Sequence, residues 1–251
     1  MDRFSIAVLC YGPHPQLAYR CVSSLLPALN SPAVADVHLC VNAVVPATMT
    51  ALRYAANQMT CPVFFHVAEE NACKYPMLRQ VLRNVYCPLG ENLMWFDDDT
   101  IVAKPAQLFS STQAQLDVHP VAGRRQRIQL HPNQAKWLNQ QDWSKRQLPW
   151  TPVPVYFPAG GWWAAKTEFL LQHDWPHPLL YHRGGDVMLG VLLSKLGLTF
   201  GVPDPMPVWI NAAKPGEHHT QQRRGHDHQP LGCVLPPPAV PSTTIRSYCY
   251  D

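Results

Sequence analysis

Residues 93–102 read LMWFDDDTIV, an apolar run closed by three consecutive aspartates. Adjacent carboxylates repel one another and lose solvation near a core, so the run calls for a compensating cation or a solvent-facing turn. The upstream pattern gives it a location. FSIAVLC (4–10), VHLCVN (37–42), PVFFHVA (62–68) and NLMWF (92–96) read as short, nearly continuous apolar strands. Between them QLAYRCVSSLLPAL (16–29), ATMTALRYAANQ (47–58) and YPMLRQVLRNVY (75–86) carry apolar residues at helical spacing. Apolar strands separated by helices predict an α/β fold with a mainly parallel sheet covered on both faces. Ligands of such sheets collect outside the carboxyl ends of the strands. Asp97, Asp98 and Asp99 fall at the end of the fourth strand, beside the loops that follow Cys10 and Asn42.

The chain has 251 residues, 47% of them apolar, which suffices for an ordinary buried core. No stretch approaches the roughly 20 unbroken apolar residues of a membrane helix, and MDRFSIAVLCYGPHP lacks a secretory cleavage pattern. Eight cysteines are scattered without a CxxC pair, which favours reduced thiols and a cytoplasmic setting. The formal charge of +3 is small for a non-catalytic nucleic-acid-binding protein. Basic residues nonetheless cluster at Arg124, Arg125 and Arg127, and again at Arg223 and Arg224. The first cluster reads either as a solvated turn or as part of a surface for an anionic partner.

The second half is less regular. Six of the eight tryptophans lie between Trp137 and Trp175, and YFPAGGWWAAKTEF (156–169) sets two glycines before two of them. Gly161, Trp162 and Trp163 read either as core or as a platform on which a sugar ring or base stacks. YHRGGDVMLGVLLSKLGLTFGV (181–202) places Gly185 and Asp186 ahead of an apolar helix and a short strand. Asp186 is either an N-cap or a general base at a pocket edge, and the glycine pair allows close approach of a ligand. The polar tail from 211 holds His218, His219, His226 and His228, and PPPAVP near 236 predicts an extended segment rather than more core. Any of these histidines reads as surface, or as a ligand folded over the aspartates. One domain with an irregular second half is the simplest organisation.

The aspartates suit a hard cation such as Mn2+ or Mg2+, which binds through one or two carboxylates and completes its shell with water and phosphate. The EF-hand spacing is absent. A solvated turn capping the next helix is the alternative for three aspartates alone. Following MWF in an alternating strand and helix pattern, they favour a metal and diphosphate site.

Taken in order, these segments resemble the GT-A nucleotide-sugar glycosyltransferases, in the style of the family 2 group. FSIAVLCYGPHPQLAYRCVSSLL is similar to that family's first strand, nucleotide loop and helix, and WFDDDT to its DxD motif. GGWWAAKTEF resembles its acceptor-side strand, and GGDVMLGVLLSKLGL the helix that carries its base. The resemblance implies a nucleotide-sugar-binding half over 1–104, an acceptor-binding half over 105–210 and a C-terminal tail over 211–251, in one domain. It implies that Tyr11 contacts the base, that Asp97 faces the nucleoside end, with Asp98 beside it, and that Asp99 ligates the metal. Asp97 and His218 would complete the metal's protein ligands, and Asp186 would deprotonate the acceptor hydroxyl. Lys74, Arg79, Arg223 and Arg224 are candidates to offset charge on the leaving diphosphate. Gly161, Trp162, Trp163 and Gly185 would line the acceptor side. A single in-line base predicts inversion at the anomeric carbon.

Two departures bear on specificity. The family's acidic residue after the second strand is here VNAVV, so Asn42 would take over base or ribose recognition, and its Glu-Asp pair is Gly185-Asp186. The expected donor is a nucleotide diphosphate sugar, a UDP-sugar first. KYPMLR ahead of WFDDD resembles small phage and bacterial enzymes, some of which glycosylate hydroxymethylated bases in DNA. The arginine clusters and tryptophans would then hold a backbone and a flipped base. A glycan, protein or small-molecule acceptor is the alternative. A nucleotidyltransferase is a further one, although YGPHP is not a glycine-rich phosphate loop.

Overall fold

The computed structural model describes residues 2–84, 88–128, 155–178, 180, 185–209 and 244–250. The first strands and helices form where the periodicity puts them. β1 (Phe4–Tyr11), β2 (Val34–Asn42), β3 (Val63–Ala68) and β4 (Asn92–Asp97) are buried along nearly their whole length. α1 (Pro15–Leu29) and α2 (Pro46–Ala56) both open on a proline, whose missing N–H costs nothing in a first turn. α3 (Lys74–Leu82) completes the first half. After β5 (Ile101–Val102) and a 3-10 turn at Pro105–Gln107 come α4 (Leu108–Leu116), β6 (Val121–Ile128), β7 (Val155–Lys166) and α5 (Thr167–Gln172). α6 (Gly185–Lys195), β8 (Val208–Trp209) and β9 (Arg246–Tyr250) close the series.

Among the described residues seven strands make one sheet in the order β6-β7-β4-β1-β2-β3-β9, while β5 and β8 pair separately. The core β4-β1-β2-β3 is parallel, as the apolar strands predict, whereas β7, β6 and β9 run antiparallel to their neighbours. The sheet is therefore more mixed than expected. One face buries α1, α2 and α4 against Phe4, Ile6 and Val8; the other buries α3, α5 and α6 against Ala7, Leu9 and Trp95. β1 to β3 step one way and β4 returns to the opposite side of β1, which opens a crevice between the ends of β1 and β4.

Three expectations need correction. Residues 246–250 are not part of an extended tail: they return as the edge strand beside β3, with Tyr248 and Tyr250 packed on Phe65. Arg124, Arg125 and Arg127 lie on strand β6, not in a turn. Where a short strand was expected near 199–202, Gly201 makes only an isolated bridge to Ala122. Among the described residues no helix is long and apolar enough to cross a membrane, and six cysteines are free thiols.

A polar chain fastens β9. His38 Nε2 lies 2.9 Å from Asp36 Oδ1, His38 Nδ1 lies 2.9 Å from His66 Nε2, and His66 Nδ1 lies 2.8 Å from Ser247 Oγ. Gln80 Nε2 donates to the same hydroxyl at 3.0 Å. One set of neutral tautomers satisfies all of it: Gln80 donates to Ser247, Ser247 to His66, His66 to His38 and His38 to Asp36. An added proton would set two donors face to face, and burial together with His38 pushes the His66 pKa from 6.5 down to about 3. A folded-state value below the unfolded one stabilises fully above the unfolded value and is lost as pH falls towards the folded one. The unfolding free energy is therefore expected to drop between about pH 7 and about pH 5, by roughly 2 kcal/mol from His66. His66→Gln should flatten that dependence in urea titrations; an unchanged slope would show that His66 does not carry it.

Candidate active site

The three aspartates end β4 in a tight turn. Thr100 N–H donates to the Asp97 carbonyl at 3.0 Å, and Thr100 Oγ1–H donates to the Gly161 carbonyl at 3.0 Å, tying the turn to β7. Within that turn the carboxylates separate. Asp98 is buried and accepts the Tyr11 N–H at 3.0 Å, so it braces the end of β1 against the turn. Asp97 and Asp99 stay half-buried at the mouth of the crevice.

Asp97 is held from two sides. Its Oδ1 accepts the Trp95 indole N–H at 2.8 Å and its Oδ2 pairs with Lys74 Nζ at 2.8 Å. Lys74 opens α3, is buried, and lies 5.6 Å from the centroid of the Trp95 ring. Asp97 therefore turns inward, and the expected approach to a nucleoside would have to displace one of these partners. Asp99 stands further along the turn.

The wall expected to face a nucleotide is built differently from expectation. Asn42 is 2% exposed and both ends of its amide are used: Nδ2–H donates to Asn71 Oδ1 at 2.9 Å, and its oxygen accepts the Ala72 N–H at 2.8 Å. It clamps the β3–α3 loop rather than facing solvent. Asn71 is exposed and donates to the Tyr11 hydroxyl at 3.3 Å, so Asn71 and Tyr11 are the groups the crevice presents. The only sequence signal for Asn71 is the tendency of asparagine to bond backbone two residues on, which it does to Cys73 N–H at 2.9 Å. Cys73 itself has a left-handed φ of 66°.

Asp186 sits in the first turn of α6, half-buried. Desolvation raises its pKa, opposed by Lys74 and by the Val187 and Asp186 N–H groups, and reinforced by Asp97. Lys74 thus acts on carboxylates from both halves of the chain.

Several expected contacts fall elsewhere. Trp162 and Trp163 are 0% and 1% exposed, because both side chains turn into the two cores that flank β7. Trp163 stacks on Trp95 at 6.4 Å and meets Trp175 edge-on at 5.3 Å, leaving no open face for a sugar ring or base. Gly161 contributes its carbonyl to Thr100 rather than an acceptor contact. Gly185 leaves no opening for a ligand either, since the Tyr75 ring fills the space beside it. Arg79 turns away from the crevice: its guanidinium holds the Asp174 carboxylate at 3.0 Å and the Pro176 carbonyl. Arg223, Arg224, His218, His219, His226 and His228 lie outside the described residues. Among the described residues no set of three His, Cys, Asp or Glu side chains is placed to hold a metal. Two half-buried carboxylates at a strand end, Asp97 and Asp99, are nonetheless the oxygen donor set that a hard cation shares with phosphate.

Burial decides what the tryptophans do. Trp163→Ala is expected to lower the unfolding free energy by about 3–5 kcal/mol, the usual cost of emptying a large aromatic site. A denaturant midpoint equal to that of the parent would show that the ring is dispensable to the core.

No protein-family model and no curated protein sequence matches the chain. Among solved structures it is similar to a mannosyltransferase from Pyrobaculum calidifontis in complex with GDP-Man and Mn2+. The identity is 17% and the TM-score 0.55, over 89% of this chain and 61% of that one. It is also similar to GalNAc-T7 with UDP, GalNAc and Mn2+, at 14% identity and a TM-score of 0.60, over 83% of this chain and 43% of that one. The chain spans less than two thirds of the length of either protein. What it shares with them is the architecture: its fold is that of the GT-A nucleotide-sugar glycosyltransferases.

Proposed function

We propose that the protein is a metal-dependent glycosyltransferase that moves a sugar from a nucleotide diphosphate sugar to an acceptor hydroxyl. The observation that carries this reading is the convergence of Asp97, Lys74 and Asp186 at the switch-point crevice of this fold, with Asp99 in the turn two residues past Asp97. Bound Mn2+ or Mg2+, held by Asp99 with Asp97 beside it, would supply Lewis-acid stabilisation of the departing diphosphate. Lys74 adds a fixed cation next to the same carboxylate. Tyr11 and Asn71 form the exposed wall for the nucleoside, with a UDP-sugar as the expected donor. Asp186 takes the proton of the acceptor hydroxyl; its raised pKa brings it nearer the working pH, where a general base is most effective. One base on one side of the sugar implies inversion at the anomeric carbon.

UDP or GDP with Mn2+ is expected to raise the melting temperature, since a ligand that binds only the folded state stabilises it. Asp99→Ala should abolish the part of the shift that depends on Mn2+, and Asp186→Asn should keep it while losing sugar transfer. Full transfer by both variants would defeat the mechanism.

The acceptor we propose is a hydroxymethylated base in DNA. β7 continues on the amino-terminal side of Trp162, the partner of Phe96, so residues 155–161 and their β6 partners reach past the carboxyl end of β4. That ribbon carries exposed Arg124, Arg125 and Arg127, with the Arg125 guanidinium 5.7 Å from the half-exposed Tyr156 ring. None of the three pairs with a carboxylate among the described residues. Exposed arginines beside an exposed aromatic suit a phosphate backbone with its bases. Replacing all three by alanine should make the salt dependence of duplex binding shallower by about 2–3 in log–log slope, at roughly 0.9 per lost phosphate contact. An unchanged slope, with nucleotide binding intact, would assign the acceptor to another class of hydroxyl.

A further inference from the structure

Tyr75 joins the two halves of the site. It follows Lys74 in the first turn of α3 and is 3% exposed. Any side chain at Gly185 would overlap the Tyr75 ring and hydroxyl, so glycine is required there by the presence of the tyrosine. The Gly185 and Asp186 N–H groups face the Tyr75 oxygen. The first N–H groups of a helix have no partner within it and need an acceptor from elsewhere. Tyr75 offers that acceptor from a different helix, in the turn that carries Asp186.

The ring is held as firmly as the hydroxyl. It meets Trp175 edge-on at 6.1 Å, Trp175 meets Trp163 at 5.3 Å, and Trp163 stacks on Trp95 at 6.4 Å. Trp95 in turn donates its indole N–H to Asp97. A continuous aromatic path therefore runs from the carboxylate at the end of β4 to the start of α6. Its last link is the Tyr75 hydroxyl.

We propose that Tyr75 is a positioning residue whose hydroxyl fixes the first turn of α6 and so aims the Asp186 carboxylate at the acceptor hydroxyl. The proposal rests on Asp186 acting as the base. Tyr75→Phe keeps the ring and its packing but removes the oxygen. In the full chain, kcat for transfer is expected to fall about 10- to 100-fold, the scale of a misplaced catalytic group. The donor KM and the stabilisation by nucleotide with Mn2+ should stay as in the parent. Hydrogen exchange at Gly185 and Asp186 should accelerate, a readout that does not depend on turnover. Gly185→Ala, which pushes on the same contact from the other side, should lower kcat in the same direction. Parent-like kcat and exchange in Tyr75→Phe, with Asp186→Asn inactive, would overturn the role of Tyr75 and leave the base in place. Transfer retained by Asp186→Asn would instead overturn the base, and the proposal with it.

Discussion

The ion pair between Lys74 and Asp97 is the constraint around which the site is arranged. Two charges 2.8 Å apart, mostly removed from water, hold only if each is fixed by further partners. Asp97 is fixed by the Trp95 indole, and Lys74 by its place at the head of α3 and by the flat face of the same indole. The pair sits where β4 turns back beside β1, so the position of α3 relative to the sheet is set by an electrostatic contact at the mouth of the crevice as well as by the core beneath it. Because Lys74 also offsets Asp186, the same cation links the end of β4 to α6.

The middle aspartate has a different task. By taking the Tyr11 N–H, Asp98 ties the end of β1 to the turn that follows β4. Three like charges in a row are tolerable because the turn sends them apart. One goes to a backbone donor, one to a lysine and an indole, and Asp99 continues along the turn. The local sequence looks electrostatically unfavourable only while the three carboxylates are imagined facing the same way.

Much of this was legible in the residues. The first four strands and three helices followed from apolar periodicity, and the position of DDD at a strand end followed from chain order. Asp186 was visible because a polar residue opens an otherwise apolar helix. What escaped was whatever depended on long-range pairing. The sequence could not tell whether Trp162 and Trp163 stand out from β7 or turn inward, since a strand flanked by helices on both sides buries both of its faces. Asn42 looked like a ligand contact because it ends β2, but the loop after β3 folds back onto it. Arg79 is drawn off by Asp174, a partner 95 positions away. Tyr75 gave no signal at all, as a tyrosine in an amphipathic helix reads as core until the glycine it covers is found. β9 lay hidden behind a proline-rich segment whose composition argues against further strands.

That last strand has a consequence for how the molecule is assembled. The contact between His66 and Ser247 closes a loop of 181 positions, and the other rungs of the β3–β9 ladder close loops of similar length. Contacts of such separation lose the most chain entropy before they return any interaction, and they tend to form late. Until then β3 is an open edge, with Phe65 lacking its tyrosine cover and unpaired backbone groups able to recruit another chain. The parallel core and the crevice can be built before the edge is sealed, so ordering of the site and protection against self-association are separate events in the history of one folding chain.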